Sequence, residues 1–140
     1  MAVEEATDFF VDLFDLGVSN AVERLPAQDF FVPGSILSVD LEEGHPIGTG
    51  KGSATPVWYW RSSRAFEVED PQVQVVARFS EGSPLLSGWL LGPEYLSGKP
   101  AIVEATVGQG SVVLFGFQPD YRGQTVTTWP LLFNALAGSD

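Results

Sequence analysis

The chain has 140 residues, of which 44% are apolar, and its seven basic and eighteen acidic residues give a net charge of −11. This length suits one domain, residues 1–140, with a packed core, while the negative field repels phosphate backbones and anionic lipid headgroups, so we expect neither nucleic acid nor a membrane surface as a partner. Cysteine is absent, which excludes disulfides, thiolate nucleophiles and cysteine-ligated metals.

The first predicted element is a helix over residues 3–16, with no strand ahead of it. Acidic residues in its first turn suit the positive end of a helix dipole. Its apolar residues recur at helical spacing, which is typical of an amphipathic helix. They are Ala6, Phe9, Phe10, Leu13 and Phe14.

Three strands are predicted in the middle of the chain. Alternation of apolar and polar residues predicts strands at 35–41 and 73–79, and a run of aromatic residues predicts another at 57–60. In the strand at 73–79, the residues predicted to face inward are Val73, Val75, Ala77 and Phe79. The glycine-rich segment 42–56 is predicted as a long exposed loop, and 85–96 as a loop with at most a helical turn.

The C-terminal part predicts a hairpin, a polar loop and a helix. Strands at 101–107 and 111–117 are joined at residues 108–110, and the second is apolar on both faces, as in strands covered on two sides. The final helix has a predicted buried stripe of Trp129, Leu132, Phe133 and Leu136. Together the elements predict an α/β fold, in which a mixed sheet of about five strands is flanked by the two helices.

The run GQGSVVLFGFQPDYRGQTVTTWPLLFNAL, residues 108–136, carries a resemblance to a known family. It is similar to the end of the class I glutamine amidotransferase-like domains appended to some bacterial zinc carboxypeptidase-like proteins. Residues 30–50 resemble the family's Pro-Gly-Ser strand followed by His-Pro, and residues 83–105 its Leu-Leu-Ser-Gly-Trp segment. The resemblance implies the C-terminal portion of a flavodoxin-like α/β layer fold, whose earlier strands and nucleophile elbow would precede the first helix here.

The chain departs from the chemistry of that family. True amidotransferases use a thiol and a late His-Pro-Glu element, whereas this chain lacks cysteine and follows His45-Pro46 with Ile47. Where relatives often have a histidine after Gln-Thr, this chain has Val126. A carboxypeptidase-type zinc needs two histidines and a carboxylate, and one histidine cannot supply them. We therefore expect neither glutaminase nor zinc peptidase activity, no cofactor, and a protein that is not an enzyme.

The single histidine, His45, follows a run of carboxylates in the sequence DLEEGHP. One interpretation is a metal site or an acid–base pair with Asp40, Glu42 or Glu43. The other is a turn beside solvated carboxylates. Because neighbouring residues on a strand point to opposite faces, they rarely converge on one ion. We therefore favour the turn and expect no metal.

The polar loop after the last strand is the candidate ligand site. Its candidate residues are Gln118, Asp120, Tyr121, Arg122 and Gln124. In a ligand site, Arg122 would hold a carboxylate through two hydrogen bonds while Asp120 or Tyr121 orients it. Alternatively, Arg122 pairs with Asp120 or Glu104 and fixes the loop to the sheet. Structural ion pairs of that kind are commoner than sites.

Three tryptophans, Trp58, Trp60 and Trp89, are the candidate interface residues. Trp58 and Trp60 share one face of their strand, and aromatic residues at this density are more typical of a core or interface than of a ligand platform. Self-association commonly covers bare sheet edges, so we expect a homodimer or association with another domain or chain. The sequence predicts a non-catalytic accessory or interaction domain, with a small-ligand-binding module at 118–124 as the alternative.

Overall fold

Strands make up most of the regular structure. The computed structural model describes residues 1–50 and 52–138; Lys51, within the predicted loop 42–56, and residues 139–140, at the end of the predicted domain, lie outside the described residues. The helices and strands are β1 (Ala2–Val3), α1 (Ala6–Phe14), β2 (Val18–Asn20), β3 (Ser35–Leu41), β4 (Thr55–Tyr59), β5 (Phe66–Val68), β6 (Val73–Phe79), β7 (Leu85–Ser87), β8 (Pro100–Val107), β9 (Gly110–Phe115) and α2 (Trp129–Ala137).

Seven strands form one mixed sheet in the order β1-β9-β8-β6-β3-β4, with β7 paired to the first half of β3. Strands β1 and β9 are parallel, and the other pairs of this sheet are antiparallel. Strands β2 and β5 form a separate antiparallel ribbon. The predicted α/β fold is therefore wrong. A flavodoxin-like sheet is parallel with helical crossovers, whereas the described residues form nine strands and only two nine-residue helices.

The long strands were predicted well and the short ones were missed. The predicted strands at 35–41 and 73–79 coincide with β3 and β6, and three others correspond to β4, β8 and β9. The short strands β1, β2, β5 and β7 have only two or three residues each, too few to show a period. The expectation that no strand precedes the first helix is wrong, because Ala2 and Val3 pair in parallel with β9.

The central strands β8 and β9 separate two apolar clusters. Val113 and Phe115 of β9 belong to the first cluster, and Val112 and Leu114 to the second. Helix α2 packs on the first cluster, while α1 and the β2–β5 ribbon pack on the second. This arrangement confirms the prediction that both faces of the strand at 111–117, now β9, are buried. It also places the two helices on opposite faces of the sheet.

Strand β6 changes the face that it buries halfway along its length. Its pairing with β8 shifts register between Val75 and Ala77. Val73 consequently packs in the second cluster with Val75 at its margin, whereas Ala77 and Phe79 pack in the first. The prediction that these four side chains share one inward face is wrong, because a bulge adds one residue and inverts the alternation.

Helix α2 packs through a different face from the one predicted. Leu131 is fully buried, and the Asn134 side-chain amide donates to the carbonyl oxygen of Ile47 at 3.0 Å. Three of the four residues of the predicted buried stripe are exposed instead: Trp129 by 42%, Phe133 by 59% and Leu136 by 62%. That prediction is wrong, since the contacts of Leu131 and Asn134 fix the rotation of the helix about its axis.

Helix α1 also exposes large apolar side chains. It packs on the sheet through Thr7, which is fully buried, and through Phe10 and Val11, which are half-buried. Phe9 and Leu13 are 64% and 57% exposed. The helical spacing of the apolar residues is confirmed, but only part of them covers the core.

Candidate functional site

The polar loop predicted as a ligand site lies against β4, the end strand of the sheet. The Thr125 hydroxyl donates to the carbonyl oxygen of Pro56 on β4 at 2.6 Å. The Thr128 hydroxyl donates to the carbonyl oxygen of Pro119 and closes the loop on itself. The loop thereby covers a sheet edge, which proteins commonly protect against unwanted strand pairing.

The loop residue Tyr121 joins an aromatic cluster with two of the predicted interface tryptophans. The ring of Tyr121 stacks on Trp58, with centroids 4.9 Å apart and planes 5° from parallel. Trp60 lies 6.2 Å away in a tilted arrangement, and the guanidinium carbon of Arg122 lies 5.3 Å from the Tyr121 centroid. Such ring pairs contribute about 0.5–1.5 kcal/mol beyond their buried area. The structure thus brings four candidate residues together.

The side chains beside Arg122 do not form the predicted ion pairs. Asp120 and Gln124 are exposed and Gln118 is half-buried. In the part of the chain that the structure describes, neither Asp120 nor Glu104 lies within ion-pair distance of the Arg122 guanidinium. Arg122 is exposed and its contact is with the Tyr121 ring.

His45 forms a polar cluster with Glu104, in which each ring nitrogen and each carboxylate oxygen has a partner. Its Nδ1 accepts a hydrogen bond from the backbone N–H of Ile47 at 3.3 Å, and its Nε2 lies 3.1 Å from a Glu104 carboxylate oxygen. The Ser111 hydroxyl donates to the other Glu104 oxygen at 2.5 Å. Since Nδ1 accepts, the proton is on Nε2 and is donated to Glu104. Both ring nitrogens are used, and the side chain caps the 3-10 turn Pro46–Gly48.

Two of the three candidate carboxylates that precede His45 in the sequence have other partners. Asp40 accepts from the backbone N–H of Ala54 at 2.7 Å, and Glu42 pairs with Arg78 at 3.0 Å. Within residues 1–50 and 52–138, no group of three or more histidine, aspartate or glutamate side chains is arranged to hold a metal ion. The histidine's carboxylate partner comes instead from a distant strand.

A second polar cluster, which the sequence analysis missed, lies beyond the carboxyl ends of the parallel strands β1 and β9. Glu4 accepts hydrogen bonds from the hydroxyls of Ser62 and Ser63 at 3.2 and 2.8 Å. Arg64 donates to both carboxylate oxygens of Asp8 at 3.3 and 2.6 Å. Burial alone would lower the pKa of Arg64, but the hydrogen bond and charge of Asp8, together with the charges of Glu5 and Glu4, outweigh it and hold the pKa above its usual value.

This cluster fastens the N-terminal segment to the loop after β4. Tyr59 is fully buried beneath it, and its hydroxyl donates to the Ser63 carbonyl oxygen at 3.3 Å. Burial raises the pKa of Tyr59 far above its usual value, so the phenol stays neutral. The serine hydroxyls of this cluster donate to the Glu4 carboxylate. Because the paired residues lie far apart in the sequence, no local sequence pattern predicts these contacts.

Trp89, the third candidate interface residue, belongs to a separate surface. Its backbone N–H donates to the Ser35 hydroxyl oxygen at 2.9 Å, and that hydroxyl donates to the Trp89 carbonyl oxygen at 2.6 Å. The indole is 63% exposed, whereas Trp58 and Trp60 are half-buried. Other large apolar side chains exposed on or near this segment are Phe31, Leu86 and Leu91.

Comparison of the chain with protein-family models gives no match, and comparison with curated proteins gives none either. None of the helices in the described ranges is both long and apolar enough to cross a membrane. The function is therefore inferred from the exposed surfaces and from the contacts of the candidate residues.

Proposed function

We propose that this chain is a non-catalytic interaction domain that forms a homodimer through α2. The observation that carries the proposal is the row of Trp129, Phe133 and Leu136 along one side of the helix, each between 42% and 62% exposed. Val126, just before the helix, is 60% exposed. Rows of large exposed apolar side chains commonly mark interaction surfaces.

The charge distribution favours a second copy as the occupant of this row. The whole chain carries a net charge of −11, which makes two copies repel each other. Helix α2, with the sequence WPLLFNALA, contains no charged residue, so a contact centred on it keeps the acidic groups apart. In a two-fold dimer the row would pack against its own copy, and each buried large side chain contributes about 1.5–3 kcal/mol.

We also propose that the domain is related in sequence to the amidotransferase-like regions of larger hydrolase-like proteins, although its sheet is not the flavodoxin-like sheet that the resemblance implied. The support is the order of the similar segments, residues 30–50, 83–105 and 108–136. A non-catalytic role is supported by the absence of cysteine and by His45, whose two ring nitrogens are both engaged within the protein.

Phe133→Ser should convert the dimer to a monomer. The variant removes one aromatic ring from each copy, and each ring contributes roughly 1.5 kcal/mol to the free energy of dimerisation. With two rings lost, we expect the dissociation constant to rise by about 100-fold. Sedimentation velocity over a concentration series measures this change. Leu13→Ser, which removes a similarly exposed apolar side chain from α1, is the matched control and should remain dimeric. A wild-type chain that stays monomeric up to its solubility limit would contradict the proposal.

A second candidate function, binding of a small ligand at residues 118–124, is favoured by the state of Arg122. Its guanidinium is exposed beside the Tyr121 ring, in a position to donate two hydrogen bonds to a carboxylate. Arg122 also adopts a φ of 47°. Residues other than glycine rarely adopt that left-handed backbone conformation. Backbone strain of this kind is concentrated at functional sites.

Thermal shift against small carboxylates, peptides and sugars tests this second function. A ligand held by Arg122 should raise the unfolding midpoint by roughly 5–10 °C at about 100 times its dissociation constant. Arg122→Ala should abolish that shift, and Arg24→Ala, a change of another exposed arginine, should leave it intact. A shift that persists in Arg122→Ala, or the lack of any shift across the panel, would contradict binding at this loop.

A further inference from the structure

We propose that α1, on the opposite face of the sheet from α2, binds a cationic amphipathic segment of a partner protein. The surface consists of Phe9 and Leu13 with the neighbouring carboxylates Glu5 and Asp12, and we call it the acidic face of α1. It is separate from the α2 row, so this inference goes beyond the proposed dimer.

The apolar part of this face is a pair of side chains one helical turn apart. Phe9 and Leu13, at positions i and i+4, are 64% and 57% exposed. The Phe9 ring packs edge-on against the half-buried Phe10 ring, with centroids 5.5 Å apart, which holds it in place on the surface. Two large, ordered apolar side chains offer the anchor that an amphipathic helix uses when it packs on a surface.

The charge around this pair is predominantly negative. Residues 1–15 contain five carboxylates and no lysine or arginine. Asp8 is paired with Arg64, but Glu5 and Asp12 are exposed and form no ion pair among the described residues. Glu5 and Asp12 stand at i−4 and i+3 from Phe9, so they flank it directly on the helix surface.

A groove next to the acidic face is also lined by both apolar and acidic side chains. A cavity of about 220 Å³ lies between α1 and the β2–β5 ribbon. Val11 and Phe66 contribute apolar surface to its wall, while Asp12 and Glu23, together with the Asp8 that is paired with Arg64, bring carboxylates to it. None of the described residues that line it is basic. A lysine or arginine side chain fits such a groove, because its aliphatic stem packs on apolar surface while its charge meets carboxylates.

Charge complementarity selects the occupant of the acidic face. A second copy of this chain would bring the same carboxylates against each other, and anionic lipids or nucleic acid would be repelled. In a helical segment with leucines on one face and lysines beside them, the leucines would pack on Phe9 and Leu13 and the lysines would pair with the carboxylates. Its positive charge would also accelerate association. The small size of the surface predicts a weak, transient complex.

Fluorescence anisotropy with synthetic peptides tests this inference. The probe is a labelled helical peptide of about 18 residues with a leucine row and a lysine face. Two matched peptides replace lysine with glutamate or leucine with serine. The first peptide should bind at least tenfold more tightly than the other two, and its affinity should fall as salt is raised.

Variants of the chain separate the acidic face from non-specific attraction to a chain of charge −11. The double variant Phe9→Ser, Leu13→Ser should weaken binding of the lysine–leucine peptide at least tenfold. Asp12→Asn should weaken it several-fold and reduce its dependence on salt. Phe133→Ser should bind the peptide as the wild type does, even where it abolishes the dimer. Equal binding to the double variant, or equal binding of the leucine-to-serine peptide, would overturn the inference whatever the oligomeric state.

Discussion

Leu131→Ala should lower the free energy of unfolding by about 2–5 kcal/mol, whereas Phe133→Ala should change it by less than about 0.5 kcal/mol. Both residues lie in α2, and the second substitution removes the larger side chain. Leu131 is fully buried in the first cluster, so its loss leaves a cavity, while Phe133 is 59% exposed. The pair of variants therefore measures which face of the helix packs on the sheet.

Urea denaturation at low protein concentration is the appropriate measurement, because self-association would add its own contribution to the stability of wild type. Equal values of m for the variants and the wild type would show that only stability has changed. If Phe133→Ala were the more destabilising change, α2 would be rotated to bury the stripe predicted from sequence, and the proposed dimer surface would not exist.

Gly116→Ala should destabilise the protein by about 3 kcal/mol, the upper end of the usual cost of overpacking. Gly116 follows β9, where the backbone N–H of Arg64 donates to its carbonyl oxygen at 2.5 Å and its own N–H donates to Ala101 at 2.9 Å. A β-carbon at this position would clash with the carbonyl oxygen of Arg64 and lie 3.1 Å from that of Ala101. Backbone atoms held by hydrogen bonds cannot move aside as a flexible side chain would.

Gly110→Ala, at the first residue of β9, is the matched control. The nearest atom to a β-carbon there is the carbonyl oxygen of Val107 at 3.9 Å, an ordinary contact. The control should therefore unfold at the same urea concentration as wild type or slightly above it, since alanine restricts the unfolded chain. A Gly116→Ala protein as stable as the control would show that the Arg64 loop does not pass beside β9.

The sequence was sufficient where a strand is long enough to show its period. Residues 35–41 and 73–79 were predicted as strands at the bounds of β3 and β6. The interruption of β6 after Val75 was not predictable, because a bulge depends on pairing with another strand. Ile47, placed in an exposed loop by its glycine-rich surroundings, is only 4% exposed, since a single apolar residue carries no period.

The class of fold was mispredicted for a related reason. Two helical patterns and a resemblance to a flavodoxin-like family favoured a mixed sheet of about five strands flanked by helices. The missed strands are short, and their pairing is set by contacts such as those of Ala2 and Val3 with β9, far away in sequence. The prediction of which face of α2 is buried was also wrong. Apolar side chains on an exposed helix face have the same spacing as those that fill a core, so the pattern does not distinguish them.

For the candidate site, the sequence identified residues but not contacts. Tyr121 and Arg122 were selected from the polar loop, and Trp58 and Trp60 from a strand, yet their meeting in one aromatic cluster is visible only in the structure. The sequence places three carboxylates just ahead of His45, but the carboxylate that contacts its ring is that of Glu104. Such contacts depend on strand order, which no local pattern records.

The parallel pairing of β1 with β9 has a consequence for biosynthesis. Residues 2 and 3 can join the sheet only after residues 114 and 115 have been made, so this strand has no partner while the residues between them are synthesised. Until then Phe10 and Val11, through which α1 packs on the second cluster, lack the β9 residues of that cluster. A nascent chain stalled before β9 would leave Ala2 and Val3 without their strand partner, which makes the pairing with this last strand the step that fixes the N-terminal segment in its folded position.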